Sequence, residues 1–204
     1  DKLPVPEKQE ITEMSTNFGD RIYRVSMQLV TMKDVVNEAR ILENVDADIN
    51  LVAMFFYDET ELQEYIQKNE DDKLVVALAY LDNYEEALEG VEEVRRSLLI
   101  ALIDRKITKY FSNFDGLVRK LERDKYFLIM RQSSLEALKE QRFHILDEVK
   151  TVNIGNEMAV TLSIGIGLNG ANYLQNYEYC RIAIEMALGR GGDQVVIKLS
   201  LIHI

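Results

Sequence analysis

Leu121-Glu122-Arg123-Asp124-Lys125-Tyr126-Phe127-Leu128-Ile129-Met130 is the stretch whose reading decides the fold. A charged turn, Glu122 to Lys125, runs into an aromatic and aliphatic segment. Gly116-Leu117-Val118-Arg119-Lys120 leads in from the other side. Two apolar-bearing segments around a short polar turn predict a β-hairpin. Its charged side chains sit at the tip, over a buried sheet. Such a tip can present ionic chemistry on a rigid support, or it can simply keep a tight turn wet. The flanking chain has to decide between these.

Upstream, Leu74-Val75-Val76-Ala77-Leu78-Ala79-Tyr80-Leu81 is apolar on both alternations and predicts a central strand covered on both faces. Asp82-Asn83 closes it and starts a short helix through Ala87. A long helix is expected from about Glu92 to Ser112, with Leu99, Leu102, Ile103, Ile107, Tyr110 and Phe111 on one stripe. Downstream, one helix is expected from Ser133 to about Val149, with Leu135, Leu138, Ile145, Leu146 and Val149 inward. Met158 to Gly167 predicts a strand. One face carries Met158, Val160, Leu162, Ile164 and Ile166. The other carries only small residues, Ala159, Thr161, Ser163, Gly165 and Gly167, so a helix can lie close against it. Tyr173 to Leu188 predicts that helix, with Tyr173, Tyr177, Cys180, Ile184 and Leu188 on its stripe. Gly189-Arg190-Gly191-Gly192-Asp193 stops it, as glycine does at a helix C-terminus. Gln194 to Lys198 is the last strand.

Before residue 74 the pattern is different. Residues 1–9 hold both prolines and read as an extended arm. Ile11–Phe18 and Arg21–Val30 predict two strands joined at Asn17-Phe18-Gly19-Asp20, and Leu51–Tyr57 a third. In the second, Tyr23, Val25, Met27 and Leu29 alternate with polar residues. Residues 32–48 are polar, with a helical look around Val35 to Leu42. A helix capped by Asp58, with Glu61 where a capping-box acid belongs, runs to about Lys68. The acidic run Asn69 to Asp72 reads as a boundary. Three strands without a covering helix make a poor domain, so this region reads as the back half of something. The expected division is 1–57, a linker helix at 58–73, and an α+β sheet domain at 74–199.

Composition narrows the functions. The chain has 204 residues, 47% apolar and 29% charged, the balance of an ordinary globular protein. Its net charge of -11 argues against nucleic acid as a partner, because nothing would neutralise the phosphates. Cys180 is the only cysteine, which excludes an internal disulfide or a cysteine zinc site, and two histidines cannot build a His-rich metal centre. No apolar run reaches the roughly 18 residues needed to cross a bilayer. The chain begins without an initiator methionine, and it is expected to be a fragment of a longer protein.

The candidate chemistry is carboxylate chemistry. Asp82 ends a buried strand and Asp124 lies on the hairpin tip. If the two are neighbours they could flank Mg²⁺, which favours oxygen ligands and phosphate partners. The alternatives are that Asp82 caps the next helix through Asn83, and that Asp124 pairs with Lys125 or Arg123. The glycine-rich Gly189 to Gly192 follows a helix, whereas a phosphate cradle precedes one. It reads as a helix stop, with a phosphate role through Arg190 as the alternative. His144 reads as partly exposed structure and Cys180 as core.

The element order, with Tyr80-Leu81-Asp82-Asn83-Tyr84, the hairpin and Thr161-Leu162-Ser163-Ile164-Gly165-Ile166-Gly167, resembles the GGDEF domain of diguanylate cyclases over residues 74–198. The implied fold is α+β, a GGDEF-like (nucleotidyl cyclase-like, ferredoxin-like palm) sheet with flanking helices. The resemblance also shows a degenerate signature. Glu122-Arg123-Asp124-Lys125-Tyr126 stands where that family has Gly-Gly-Asp-Glu-Phe. The family's catalytic glutamate falls on Lys125, its first-strand metal aspartate on Tyr80, its guanine-reading asparagine near Leu88 and its phosphate-binding lysine near Leu188. Asn113 to Gly116 replaces the inhibitory Arg-x-x-Asp.

Ala187-Leu188-Gly189-Arg190-Gly191-Gly192-Asp193-Gln194-Val195 and Leu81-Asp82-Asn83-Tyr84 look like the degenerate GGDEF domain of the membrane-anchored cyclic-di-AMP phosphodiesterases of the GdpP/YybT family. That resemblance implies the end of a PAS domain at residues 10–57. It places a DHH/DHHA1 phosphodiesterase module, with its Mn²⁺, beyond residue 198; the tail Ser200 to Ile204 does not fit that continuation. It implies weak binding and hydrolysis of a purine nucleotide, ATP with Mg²⁺. The contacts would be Asp82, Asn83, Asp124, Lys125, Arg190 and Asp193, with Asp124 as metal ligand. It implies no cyclase activity, no haem in so short a PAS remnant, and a homodimer in the full-length protein. Membrane attachment would come only through N-terminal helices outside this chain, leaving a cytoplasmic fragment of a bacterial membrane protein. The alternative is a purely structural dimerisation and relay module with no ligand of its own.

Overall fold

In the computed structural model of the protein the described residues are 10–31 and 50–200. The predicted arm at 1–9, the helical segment around Val35 to Leu42 and residues 201–204 lie outside them. The chain divides into two compact units, residues 1–69 and 70–204.

The first unit holds β1 (Thr12–Phe18), β2 (Arg21–Thr31) and β3 (Asn50–Asp58) in an antiparallel sheet of that order. The alternation predicted for β2 holds at its middle, where Val25 and Met27 are buried and Arg24 pairs with Glu13 and Glu59; Tyr23 and Leu29 are half-buried. Helix α1 (Thr60–Asp71) follows, with no buried residue of its own. Its cap differs from expectation. The Glu59 carbonyl accepts from the Gln63 N–H at 2.8 Å, so Glu59 holds the cap position. Asp58, one residue ahead, accepts from the Thr60 N–H at 3.1 Å and from the Thr60 hydroxyl at 2.6 Å.

The second unit is built on a five-stranded sheet, order β5-β6-β4-β7-β8. Its elements are β4 (Leu74–Leu81), α2 (Tyr84–Leu88), α3 (Glu93–Ser112), β5 (Leu117–Lys120), β6 (Lys125–Arg131), α4 (Gln132–Glu140), α5 (Ile145–Lys150), β7 (Leu162–Leu168), α6 (Tyr173–Gly189) and β8 (Val195–Leu199). β4 is the centre. It pairs antiparallel with β6 on one side and β7 on the other, while β8 adds parallel to β7. This explains why β4 is apolar on both alternations: five consecutive residues, Val75 to Ala79, are buried.

One face of the sheet carries the main core, where Leu99, Ile103, Ile107 and Phe111 of α3 meet Tyr126, Leu128 and Met130 of β6 and Leu135 and Leu138 of α4. Leu102, predicted inward, is 37% exposed, on the flank of that stripe. The single helix expected over 133–149 is two. The chain breaks at Gln141 to His144, where Arg142 and Phe143 take positive φ of 52° and 49°.

On the other face α6 lies against β7 as the small residues predict. A Cβ on Gly165 would stand 2.3 Å from the Ile184 backbone nitrogen, and one on Gly167 would stand 1.9 Å from the Asn176 carbonyl oxygen. The strand is shorter than expected, starting at Leu162, and Met158 is exposed. The buried stripe of α6 also differs: Asn176, Cys180, Ala183, Ile184 and Ala187, while Tyr173 is 69% exposed and Leu188 lies outside the core. A helix pressed this close to a glycine-bearing strand has room only for small side chains at the contact.

Candidate functional site

The hairpin forms as predicted. β5 and β6 pair antiparallel from Leu117↔Ile129 to Lys120↔Tyr126. At the tip the Leu121 N–H donates to the Lys125 carbonyl at 2.9 Å. The Asp124 carbonyl accepts from the Leu81 N–H at 2.9 Å, which pins the tip to the end of β4. Below it, the buried Tyr126 hydroxyl donates to Asp104 of α3, and Lys120 donates to the same carboxylate at 2.7 and 2.8 Å. Burial and the Asp104 carboxylate both push the Tyr126 phenol well above its ordinary value.

The strand register sets Tyr80 directly opposite Lys125. The Lys125 ammonium lies 5.4 Å from the centre of the Tyr80 ring and donates to Glu122 at 2.7 Å. Its pKa is raised, mainly by that bond to Glu122. Burial raises the Tyr80 phenol, against the opposing pull of Lys125. An ammonium over an aromatic face is a self-contained attraction. It occupies ground where a pair of facing carboxylates could hold a cation, and it offers no hard oxygen ligand in their place. The residues present do not fit a two-metal centre.

Asp82 and Asp124 are brought to one open cavity of about 690 Å³ beneath the hairpin tip. Its lining is acidic: Asp82, Glu85, Glu86, Glu122 and Asp124 face the single cation Arg123. Adjoining depressions share Tyr84 and Arg123 and add Arg96 of α3, whose guanidinium is held by the Leu88 carbonyl at 3.0 Å. Among the described residues no group of three or more His, Cys, Asp or Glu is arranged to hold a metal ion.

The other candidates have internal partners. The Asp82 Oδ2 accepts from the Asp193 N–H at 2.8 Å, and its Oδ1 is buried with no partner among the described residues. Gly192, at φ 75°, brings the glycine-rich loop so close that a Cβ there would stand 2.6 Å from Asp82 Oδ2. Asp193 pairs with Lys150 of α5 at 2.6 Å, which raises the lysine's pKa. Asn83 sits at the N-terminus of α2 but makes no side-chain cap bond. Its amide donates to the Ala159 carbonyl at 2.8 Å and accepts from the Thr161 N–H at 2.9 Å. Arg190 caps α6 through its backbone, is exposed, and is not among the residues lining the hairpin cavity. Asp82, Asn83 and Asp193 therefore gather at one end of the sheet as fasteners, Asp124 and Lys125 sit on the tip, and Arg190 stands apart. Lys150 and the Tyr80–Lys125 contact were missed in the sequence. Both depend on long-range register, which no local pattern encodes.

Residues 79–201 match the family described as "Cyclic-di-AMP phosphodiesterase GdpP-like, GGDEF domain". The chain is similar to the cyclic-di-AMP phosphodiesterase PdeA of Listeria monocytogenes, 33% identical over 145 residues, 71% of this chain and 22% of that protein. It is 26% identical over 192 residues to the cyclic-di-AMP phosphodiesterase GdpP of Bacillus subtilis, 94% of this chain and 26% of that protein. The chain thus spans about a quarter or less of these relatives' length. Among solved structures, the active GGEEF domain of a diguanylate cyclase from Vibrio cholerae aligns with a TM-score of 0.53 at 12% identity, covering 67% of this chain and 89% of that one. The GGDEF domain of DgcB from Caulobacter crescentus, in complex with c-di-GMP, gives 0.53 at 15% identity, covering 67% and 83%. These likenesses show the fold.

Proposed function

Since residues 79–201 make this chain a member of the GdpP-like GGDEF family of cyclic-di-AMP phosphodiesterases, we propose that it is a regulatory module of such an enzyme, with a degenerate signature that does no cyclase chemistry. One observation carries this reading: the Tyr80–Lys125 pair at the hairpin. By resemblance these are the positions of the first-strand aspartate and the signature glutamate. A two-metal transfer needs hard anionic ligands on both sides of the reacting phosphate. A phenol facing an ammonium supplies neither. The first unit then serves as the end of a PAS domain and α1 as the connector. The test is hydrolysis of cyclic-di-AMP by the full-length enzyme. Breaking the tip with Y80A/K125A should change the rate at least about twofold with the phosphodiesterase module untouched. An unchanged rate would count against a regulatory role.

A finer reading is weak binding of ATP as its Mg²⁺ complex in the cavity under the hairpin tip. It is favoured by Asp82 and Asp124 lining that cavity together, with Arg123 beside them. An acidic lining repels a bare triphosphate, so the metal has to come with the nucleotide. Calorimetry should then give heat with Mg²⁺·ATP and none with ATP in EDTA. Absence of heat with Mg²⁺·ATP at millimolar concentration leaves the relay reading, in which Asp82, Asn83 and Asp193 serve only as internal fasteners.

A further inference from the structure

The protein carries a second concavity whose charge is opposite to that of the hairpin cavity. It lies between the C-terminal half of α3 and the end of α5, with a volume of about 630 Å³, a size usual for small-molecule sites. Arg105, Lys106 and Lys109 line one wall, and Glu148 is the only carboxylate among its lining residues. The hairpin cavity sets five carboxylates against one cation. In a chain of net charge -11, a small anion is repelled from the hairpin cavity and drawn to the basic wall of α3.

Lys109 lies in the last turn of α3, where the carbonyl end of a helix favours a cation. Lys106 pairs with Glu148 at 3.4 Å. Neither reason applies to Arg105, and no ion pair holds Arg105 or Lys109 among the described residues. Arg105 and Lys109, four positions apart, share one face of α3, and Lys106 lines the cavity beside them. Asn113 and Asn153 add amide groups to the lining. The Tyr110 hydroxyl is buried against the backbone of Ile145 and His144 without a well-formed hydrogen bond.

We propose that this pocket binds a small molecule bearing adjacent phosphoryl groups, held by Arg105 and Lys109 without a metal ion. A guanidinium forks onto phosphate oxygens, and a neighbouring ammonium adds a mobile point charge. The charged donors come from α3, and the Asn113–Gly116 turn adds only the Asn113 amide. The site is independent of the nucleotide reading at the hairpin.

Titration of the 204-residue chain with sodium pyrophosphate in EDTA tests it by calorimetry. Saturable binding is expected, weakened about tenfold or more in R105E/K109E and unchanged in R123E at the hairpin. If the charge reversal disturbs the fold, as read by the melting temperature, the neutral R105Q/K109Q pair decides in its place. Absence of saturable binding, equal affinity in the α3 variants, or loss in R123E instead would overturn the proposal.

Discussion

Asn83 shows how a residue that looks like a helix cap can be spent elsewhere. Its amide joins the start of α2 to the segment entering β7, with bonds to Ala159 and Thr161. Asn83→Ala removes these bonds and leaves their backbone partners to water or to nothing. It should destabilise the protein by about 1–3 kcal/mol, measured by urea denaturation. Asn83→Asp keeps the acceptor but turns a carboxylate oxygen onto the Ala159 carbonyl, so it should not rescue the loss. Cys180 is the opposite case, a residue whose bland reading holds. It is buried at the contact of α6 with β7, its Sγ donates to the Gly165 carbonyl at 3.1 Å, and burial pushes its thiol up to about 12. At pH 8 the folded protein should therefore resist Ellman's reagent and react on unfolding. Rapid labelling of the native chain would contradict this placement.

At the scale of elements, what the sequence made legible and what it hid have separate physical causes. The hairpin, β4 and the glycine-bearing face of β7 were readable because each is a local pattern with one structural solution. The break between α4 and α5 was not. Arg142 and Phe143 adopt the left-handed conformation there, and neither glycine nor proline marks the spot, so the helical period in the sequence runs on. The stripe of α6 was misassigned because large apolar residues were taken as the buried ones. Cys180 and Ile184 are buried as expected, but the contact with β7 selects Asn176, Ala183 and Ala187 in place of Tyr173, Tyr177 and Leu188, since the strand's glycines set the spacing. Gly167→Ala should cost about 3 kcal/mol or more, because its Cβ meets backbone rather than a movable side chain. Gly189→Ala, with nothing within 4 Å and a helical position, should be neutral or slightly stabilising. Similar losses in thermal melts of the two variants would show that α6 does not pack this closely.

At the scale of the whole molecule the chain keeps a GGDEF-like fold while an ammonium and a phenol stand face to face at its hairpin. The five-stranded sheet, with its hairpin anchored to β4 through Leu81 and Asp124, aligns as a whole with solved GGDEF-type domains. Tyr80 and Lys125 were visible in the sequence as single residues. That Tyr80 and Lys125 contact one another was not visible, because it needs the register of two strands 45 positions apart in the chain. Lys150 reaching Asp193, and the grouping of Asp82 with the glycine-rich loop, were hidden for the same reason. Charge is distributed accordingly: the hairpin cavity is acidic and the α3–α5 pocket basic, a division invisible in a net charge of -11. Incubation of the chain with GTP and Mg²⁺, read by chromatography for cyclic-di-GMP, tests the central claim most directly. The Tyr80–Lys125 pair predicts no product at saturating GTP; sustained formation of cyclic-di-GMP would contradict it.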